Sequence, residues 1–240
     1  MNKLYMWKYK SSLCGIIIAV SLLSSFQMYA QSIEADSSTQ TSEKNVFIGL
    51  SFDYLKLHHF ITTDNQKLEA ALNINLVDKV HLIASYGLST VIRESDYQNA
   101  DYLVEGNYYR LGADYSLDVN PANKFMLGLR YAGSTYDETI NYQNENPLFP
   151  DQSNTIKRTG QQANWFELVL TSEKRLNRIF QLDVHQILAV GMKIRIKTAL
   201  DYPDQDFAPT KYVTGYGMTN TKVNPEFNLY LKLRIKAFSL

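Results

Sequence analysis

From residue 46 onward apolar side chains return at every second position, run after run, and this periodicity is what most limits how the chain can fold. Val46, Ile48, Leu50, Phe52 and Tyr54 alternate with Gly49, Ser51 and Asp53, and Tyr109, Leu111, Ala113, Tyr115 and Leu117 alternate with Arg110, Gly112, Asp114 and Ser116. The same alternation runs through residues 68–76, 80–92, 125–131, 166–170, 192–196 and 227–235. Side chains of a strand point alternately to its two faces, so a period of two marks strands that bury one face only. Eight such runs, with no comparable 3.6-residue stripe after the N-terminal segment, predict an all-β chain.

The connections narrow the choice. Those after the second, fourth and sixth runs are short, at residues 77–79, 118–124 and 176–178. Those after the odd runs are longer and polar, at roughly 57–66, 93–106, 137–161 and 198–224. Short turns at one end and long loops at the other are the pattern of an outer-membrane barrel, turns in the periplasm and loops outside. The expectation is an eight-stranded antiparallel transmembrane β-barrel over residues 46–240, with an even strand number returning both ends to the periplasm.

A soluble lipocalin-like barrel also has eight antiparallel strands. In such a barrel the apolar set points inward and the polar set faces water. Here the polar set holds Asp53, Glu69, Arg110, Asp114, Arg130, Glu167, Lys193, Arg195, Lys232 and Arg234, with both signs on neighbouring strands, together with Gly49, Gly87, Gly112 and Gly128. Charged and small residues on one parity suit a crowded lumen filled by side chains. The Leu- and Ile-rich set, with Tyr and Phe near the run ends, suits lipid. The mixed charges can interlock as a plug, or re-pair to open a narrow ion path; the small bore of eight strands favours the plug.

Residues 1–30 read as a secretory signal. Lys3, Lys8 and Lys10 precede an apolar stretch at 13–23, and Ala30 offers a cleavage site. Eleven residues span roughly 16 Å as a helix, short of the ~30 Å hydrocarbon core. Residues 31–45, rich in Ser, Thr and acids, are expected to be a flexible lead-in. Charge then takes on meaning: the formal net charge is zero, yet without residues 1–30 there remain 21 basic against 24 acidic residues, a net of −3. A nucleic-acid-binding role is excluded by that balance. The sole cysteine, Cys14, lies in the removable segment, so no thiol chemistry or disulfide is expected afterwards.

The stretches GNYYRLGADYSL (106–117), FMLGLRYAGSTY (125–136), NWFELVLTSEKRL (164–176), KYVTGYGMTNT (211–221) and FNLYLKLRIKAF (227–238) resemble a family of small Bacteroidota outer-membrane barrels known only as a domain of unknown function. The resemblance spans most of the chain after Lys44. It implies an exported barrel and supplies no activity, ligand or catalytic residue. Barrels of the wider class often end on an aromatic residue in register with the lipid face. In this chain that register runs through Leu233, Ile235 and Ala237, leaving Phe238 on the other parity.

Candidate chemistry is sparse. His58 and His59, followed by Thr62, Thr63 and Asp64, fall where the first strand leaves the outer leaflet. A lipid-A-modifying enzyme would need such a histidine beside a nucleophile such as Ser89, oriented by Asp64 or Glu94. No motif sets that spacing, and a polar rim explains the pair more simply, so no catalytic residue is assigned. His81 and His185 are expected in the lumen; no H-x-H or H-x3-H spacing exists, so no metal or other cofactor is expected. The long third and fourth connections are the binding candidates. The third carries Pro147, Pro150 and the Lys157-Arg158 pair; the fourth carries Tyr202, Phe207, Tyr212 and Tyr216, which can grip a glycan or protein partner or pack the loop onto the barrel mouth. The expected partners are outer-membrane lipid, the barrel-insertion machinery and a possible loop-bound protein or glycan.

Overall fold

The computed structural model describes residues 45–57, 66–77, 79–94, 100–117, 123–144, 152–179, 182–197 and 210–239. The signal segment, Cys14 and the lead-in up to residue 44 lie outside the described residues, as do His58, His59, Thr62, Thr63, Asp64, Pro147, Pro150, Tyr202 and Phe207.

The alternating runs form β1 (Asn45–Asp53), β2 (Gln66–Val77), β3 (Val80–Glu94), β4 (Ala100–Ser116), β5 (Asn123–Asn144), β6 (Gln152–Ile179), β7 (Leu182–Lys197) and β10 (Val223–Ser239). Each pairs antiparallel with its sequence neighbour, except that β7 pairs with β10, and β10 closes onto β1. Closure removes the unpaired edges that a sheet with two such different faces would otherwise expose. Two further strands, β8 (Tyr212–Val213) and β9 (Gly217–Met218), form a separate two-residue ladder. The stretch at 211–215, whose residues have some β character and left a further strand pair open, therefore belongs to a small hairpin and adds no stave to the barrel.

The faces divide as the alternation predicts. Large apolar residues cover the outside of every stave, among them Leu50, Leu72, Leu88, Leu111, Leu129, Leu168, Met192 and Leu231. Leu129 is 61% exposed, whereas the adjacent-parity Arg130 is 4% and Arg110 0% exposed. This inverts the ordinary rule for buried and exposed residues.

Several boundaries differ from the sequence expectation. β4 already starts at Ala100, inside the expected 93–106 connection, and β6 runs on to Ile179, through the expected turn at 176–178. Residues 137–144 and 152–161 are strand, not loop: β5 runs on to Asn144 and β6 starts at Gln152, and the two pair along this extension as a long hairpin. Its residues read as loop because the alternation lapses into polar side chains, which a hairpin standing clear of the apolar belt can carry. A bulge interrupts the hairpin between the pairs Tyr136–Gln161 and Glu138–Arg158. Gly160 adopts φ +67°, which suits glycine, and its N–H donates to Asp137 Oδ1 at 2.7 Å. The bulge also changes the inward parity of β6, from Ala163 and Trp165 to Arg158 opposite Glu138.

At the other end, Asn45 is already in β1. The pairing of β1 with β10 slips between Val46–Phe238 and Phe47–Lys236, leaving Ala237 as an extra residue. A period-two count cannot detect such a bulge. It sets Phe238 opposite Val46 in the ladder.

Candidate functional site

The chemistry-bearing side chains lie inside the barrel, and the pairing register explains how they fit. The lumen glycines sit directly across from bulky charged residues. Gly49 faces Arg234, Gly87 faces Glu69, Gly112 faces Arg130, Gly128 faces Asp114, and Gly191 faces Glu226. On one side of each of these residues the glycine leaves room that a long ionic side chain in a narrow barrel can use.

At the turn end the ionic contacts are small and separate. Lys232 Nζ donates to both carboxylate oxygens of Glu173, at 3.1 and 3.0 Å, and His185 Nδ1 lies 2.8 Å from Glu173 Oε1. Arg234 pairs with Asp183 at 3.0 Å and covers the Phe47 ring at 4.4 Å. Arg130 pairs with Asp114 at 3.2 Å, and the Thr171 hydroxyl donates to the same carboxylate. Beside these groups is a cavity of about 20 Å³, lined in part by His81, Ser85, Asn73 and Lys232. Neither ring nitrogen of His81, neither side-chain polar atom of Asn75, nor the Ser85 hydroxyl has a hydrogen-bond partner in the protein.

Nearer the loop end the contacts converge. Arg110 meets three carboxylates: Glu69 at 2.9 Å, Glu167 at 3.1 Å and Glu226 at 2.7 Å. Lys56 binds Glu69, Glu226 at 3.2 Å and Asp53 at 3.4 Å. Lys193 binds Glu226 at 3.0 Å and donates to the Gly215 carbonyl. The hydroxyls of Tyr108 and Tyr230 donate to Glu69 at 2.6 and 2.7 Å, and Trp165 Nε1 donates to Glu167 at 2.7 Å. Lys56 reaches this cluster because β1 ends in a helical turn at residues 54–57. Asp53 Oδ1 accepts from the Leu55 and Lys56 amides at 3.1 and 3.2 Å, starting that turn in the manner of an N-cap.

Above the cluster the β8–β9 hairpin folds inward. Tyr212, Val213 and Tyr216 are buried with Val91, Tyr102, Val104, Tyr136 and Trp165. Gly215 sits against the Tyr108 ring with φ +78°; a Cβ there would collide with the ring. The Tyr102 hydroxyl donates to Glu138 and accepts from the Lys211 amide at 3.2 Å. Arg195 NH1 donates to the Thr219 carbonyl at 3.1 Å.

Of the ten charged residues expected in the lumen, nine are buried on the inner face. Arg195 is the exception. It keeps the inward parity, paired with Trp165, but near the mouth end of β7 it is only half-buried, and it ties down the hairpin through the Thr219 carbonyl. Tyr212 and Tyr216, candidates for surface binding, are buried to 7% and 2% exposure, so they are not displayed on an open loop. Ser89 is also inward, at 3% exposure. Sequence reading missed Glu173, Glu226 and Lys56. Glu173 and Glu226 follow the inward parity of their strands, so extending each run by one or two repeats finds them. Lys56 follows a helical turn and obeys no strand parity.

A family model described as "Domain of unknown function (DUF6048)" matches residues 6–235. No curated protein matches the chain. Among solved structures, the N-terminal β-barrel domain of Pseudomonas aeruginosa OprF is similar at 12% identity and a TM-score of 0.36, covering 82% of this chain and 100% of that one.

Proposed function

The chain belongs to that family of unknown function, and we propose that it is a small outer-membrane barrel whose lumen is closed and whose binding is done at the loop end. The observation that carries this reading is the inversion of faces: an apolar belt on all eight staves around a buried ionic interior. In water such a belt would be an apolar patch far beyond the few hundred Å² that soluble monomers expose. In a bilayer it faces lipid, and the closed ladder pairs the backbone within the barrel. The reading includes export by a signal at residues 1–30, turns in the periplasm and loops outside, with outer-membrane lipid and the barrel-insertion machinery as partners.

Closure of the lumen is supported at two levels. The cavity at the turn end is about 20 Å³, room for little more than one water. At the loop end Arg110 and its three carboxylates lie beneath the folded hairpin. No catalytic role or cofactor is assigned.

A heat-modifiability gel of washed outer-membrane fractions tests the reading. The unheated protein should migrate as a folded barrel and shift on boiling; absence from the fraction overturns the membrane assignment. Planar-bilayer recordings should give no conductance for the wild type, and steady channels would overturn the closed lumen. Replacing both His58 and His59 by Ala should leave lipid A composition unchanged; a changed composition would reinstate an enzymatic role.

A further inference from the structure

An open groove of about 650 Å³ runs across the outside of β2 to β5 at the loop end. Its volume falls in the range of sites for small organic molecules, roughly 300–1,000 Å³. The ladder register arranges the surface here in rows. Tyr86 and Tyr109, paired and exposed, stand where a membrane barrel carries its aromatic girdle. One row nearer the loops, Leu68 and Leu88 are followed around the wall by Asn107 and Thr135. The next row is Thr90, Glu105 and Asp137. The groove is thus apolar on β2 and β3 and polar on β4 and β5, and these side chains are exposed or half-buried, open to a ligand. Glu105 stands directly opposite Asp137, a position in which like charges repel. Asp137 Oδ1 accepts from the Gly160 amide, but neither carboxylate has an ion-pair partner among the described residues, and no basic residue among them lines the groove.

We propose that this groove seats a membrane phospholipid whose headgroup carries a primary amine. The order of the rows matches the order of groups along such a lipid. The ammonium lies outermost, between Glu105 and Asp137; the phosphate accepts from Asn107 and Thr135; an acyl chain runs over Leu68 and Leu88 onto the belt. A primary ammonium has three N–H donors and can serve both carboxylates at once, whereas a trimethylammonium has none. Two unpaired carboxylates repel an anionic headgroup. The proposal rests on the membrane reading, which puts the groove at the outer-leaflet interface, and adds a lipid class to it.

The full mature chain, refolded in detergent and shown to be heat-modifiable, is mixed with equal amounts of dioleoyl phosphatidylethanolamine, phosphatidylcholine and phosphatidylglycerol. Native mass spectrometry reads which lipid stays bound. Phosphatidylethanolamine should be retained with about tenfold preference over each of the others. Glu105→Gln combined with Asp137→Asn should cut that preference to about twofold or less while keeping the heat shift, since Asn at 137 retains an oxygen for the Gly160 amide. Lys157→Gln, which lies opposite Thr139 outside the groove lining, should leave the preference unchanged. Equal retention of phosphatidylcholine, preferred retention of phosphatidylglycerol, or a preference that survives the double variant overturns the proposal. Retention of phosphatidylglycerol that appears only with added calcium would put a bridging metal ion in place of the amine and overturn it as well. Loss of the heat shift in the wild type instead overturns the barrel reading, so the two failures are separable.

Discussion

The two halves of the lumen use the same residue types in different ways. At the turn end, Arg130 with Asp114, Arg234 with Asp183, and Lys232 with Glu173 form separate contacts, and several polar groups around them are unbonded. At the loop end one guanidinium is shared by three carboxylates, two of which are shared again with Lys56, and an aromatic layer lies above. Buried charge is costly unless most of its hydrogen-bonding capacity is met. The difference teaches that a barrel can distribute that cost: one shared, cross-lumen cluster near the mouth and separate pairs elsewhere, with some buried polar atoms unbonded at both ends, Asp53 Oδ2 and Arg110 Nε among them near the mouth. A shared cluster is cooperative, because losing one member strands several others.

That contrast can be broken most forcefully at Arg110. Arg110→Met leaves Glu69, Glu167 and Glu226 without their common partner and should cost about 3–5 kcal/mol, the range for breaking a buried pair. Reversible urea unfolding in lipid vesicles, followed by Trp165 emission, measures it. Arg130→Met strands only Asp114 and should fall at or below the lower end of that range; a loss equal to that of Arg110→Met would erase the distinction between cluster and pair.

The aromatic layer is probed by Gly215→Ala. The φ of +78° and the Tyr108 ring both oppose a side chain there, so a loss of about 1–3 kcal/mol is expected, with Trp165 emission shifting to the red as the hairpin lifts. An unchanged spectrum would mean that the hairpin is not held by this contact.

Replacing Asp114 and Arg130 together by Leu and Met should leave stability within about 1 kcal/mol of wild type, since an isolated buried pair can be exchanged for apolar groups of similar size. A double-mutant cycle on the same unfolding assay decides this, and a large loss would show that the pair belongs to the upper cluster. The smallest effect is expected at His81. With neither ring nitrogen bonded, His81→Leu should be neutral or stabilising by up to about 1 kcal/mol in the same assay. A clear loss would mean that the turn end is better satisfied than its protein contacts indicate.

Much of this was legible from residue order. The inward set of Asp53, Glu69, Arg110, Asp114, Arg130, Glu167, Lys193, Lys232 and Arg234 follows from parity alone, because a strand has only two faces. Arg195 also has the inward parity, but near the mouth end of β7 it bonds the Thr219 carbonyl of the hairpin, and parity does not say how deep along the lumen a residue sits. The extended hairpin of β5 and β6 was hidden because polar residues outside the belt lose the alternation while keeping the ladder. For Tyr212 and Tyr216 the residue types allowed either surface display or packing onto the mouth, and the folded hairpin decides for packing, since a connection without periodicity has no face to assign.

By itself, then, the sequence determined the class of fold, the inversion of the strand faces and most of the charges enclosed. These are properties of each strand taken singly, carried by a two-residue period. A further strand pair near residues 211–215 stayed open until the structure placed it in a separate hairpin. Which charges meet was decided only by the tertiary structure. Glu167 stands directly opposite Arg130 and Lys193 in the ladder, yet it contacts Arg110 of β4, two staves away. Contacts across a closed lumen depend on how all eight staves are staggered around the ring, and on a helical turn and a hairpin entering from the mouth. No local pattern along one strand encodes that geometry.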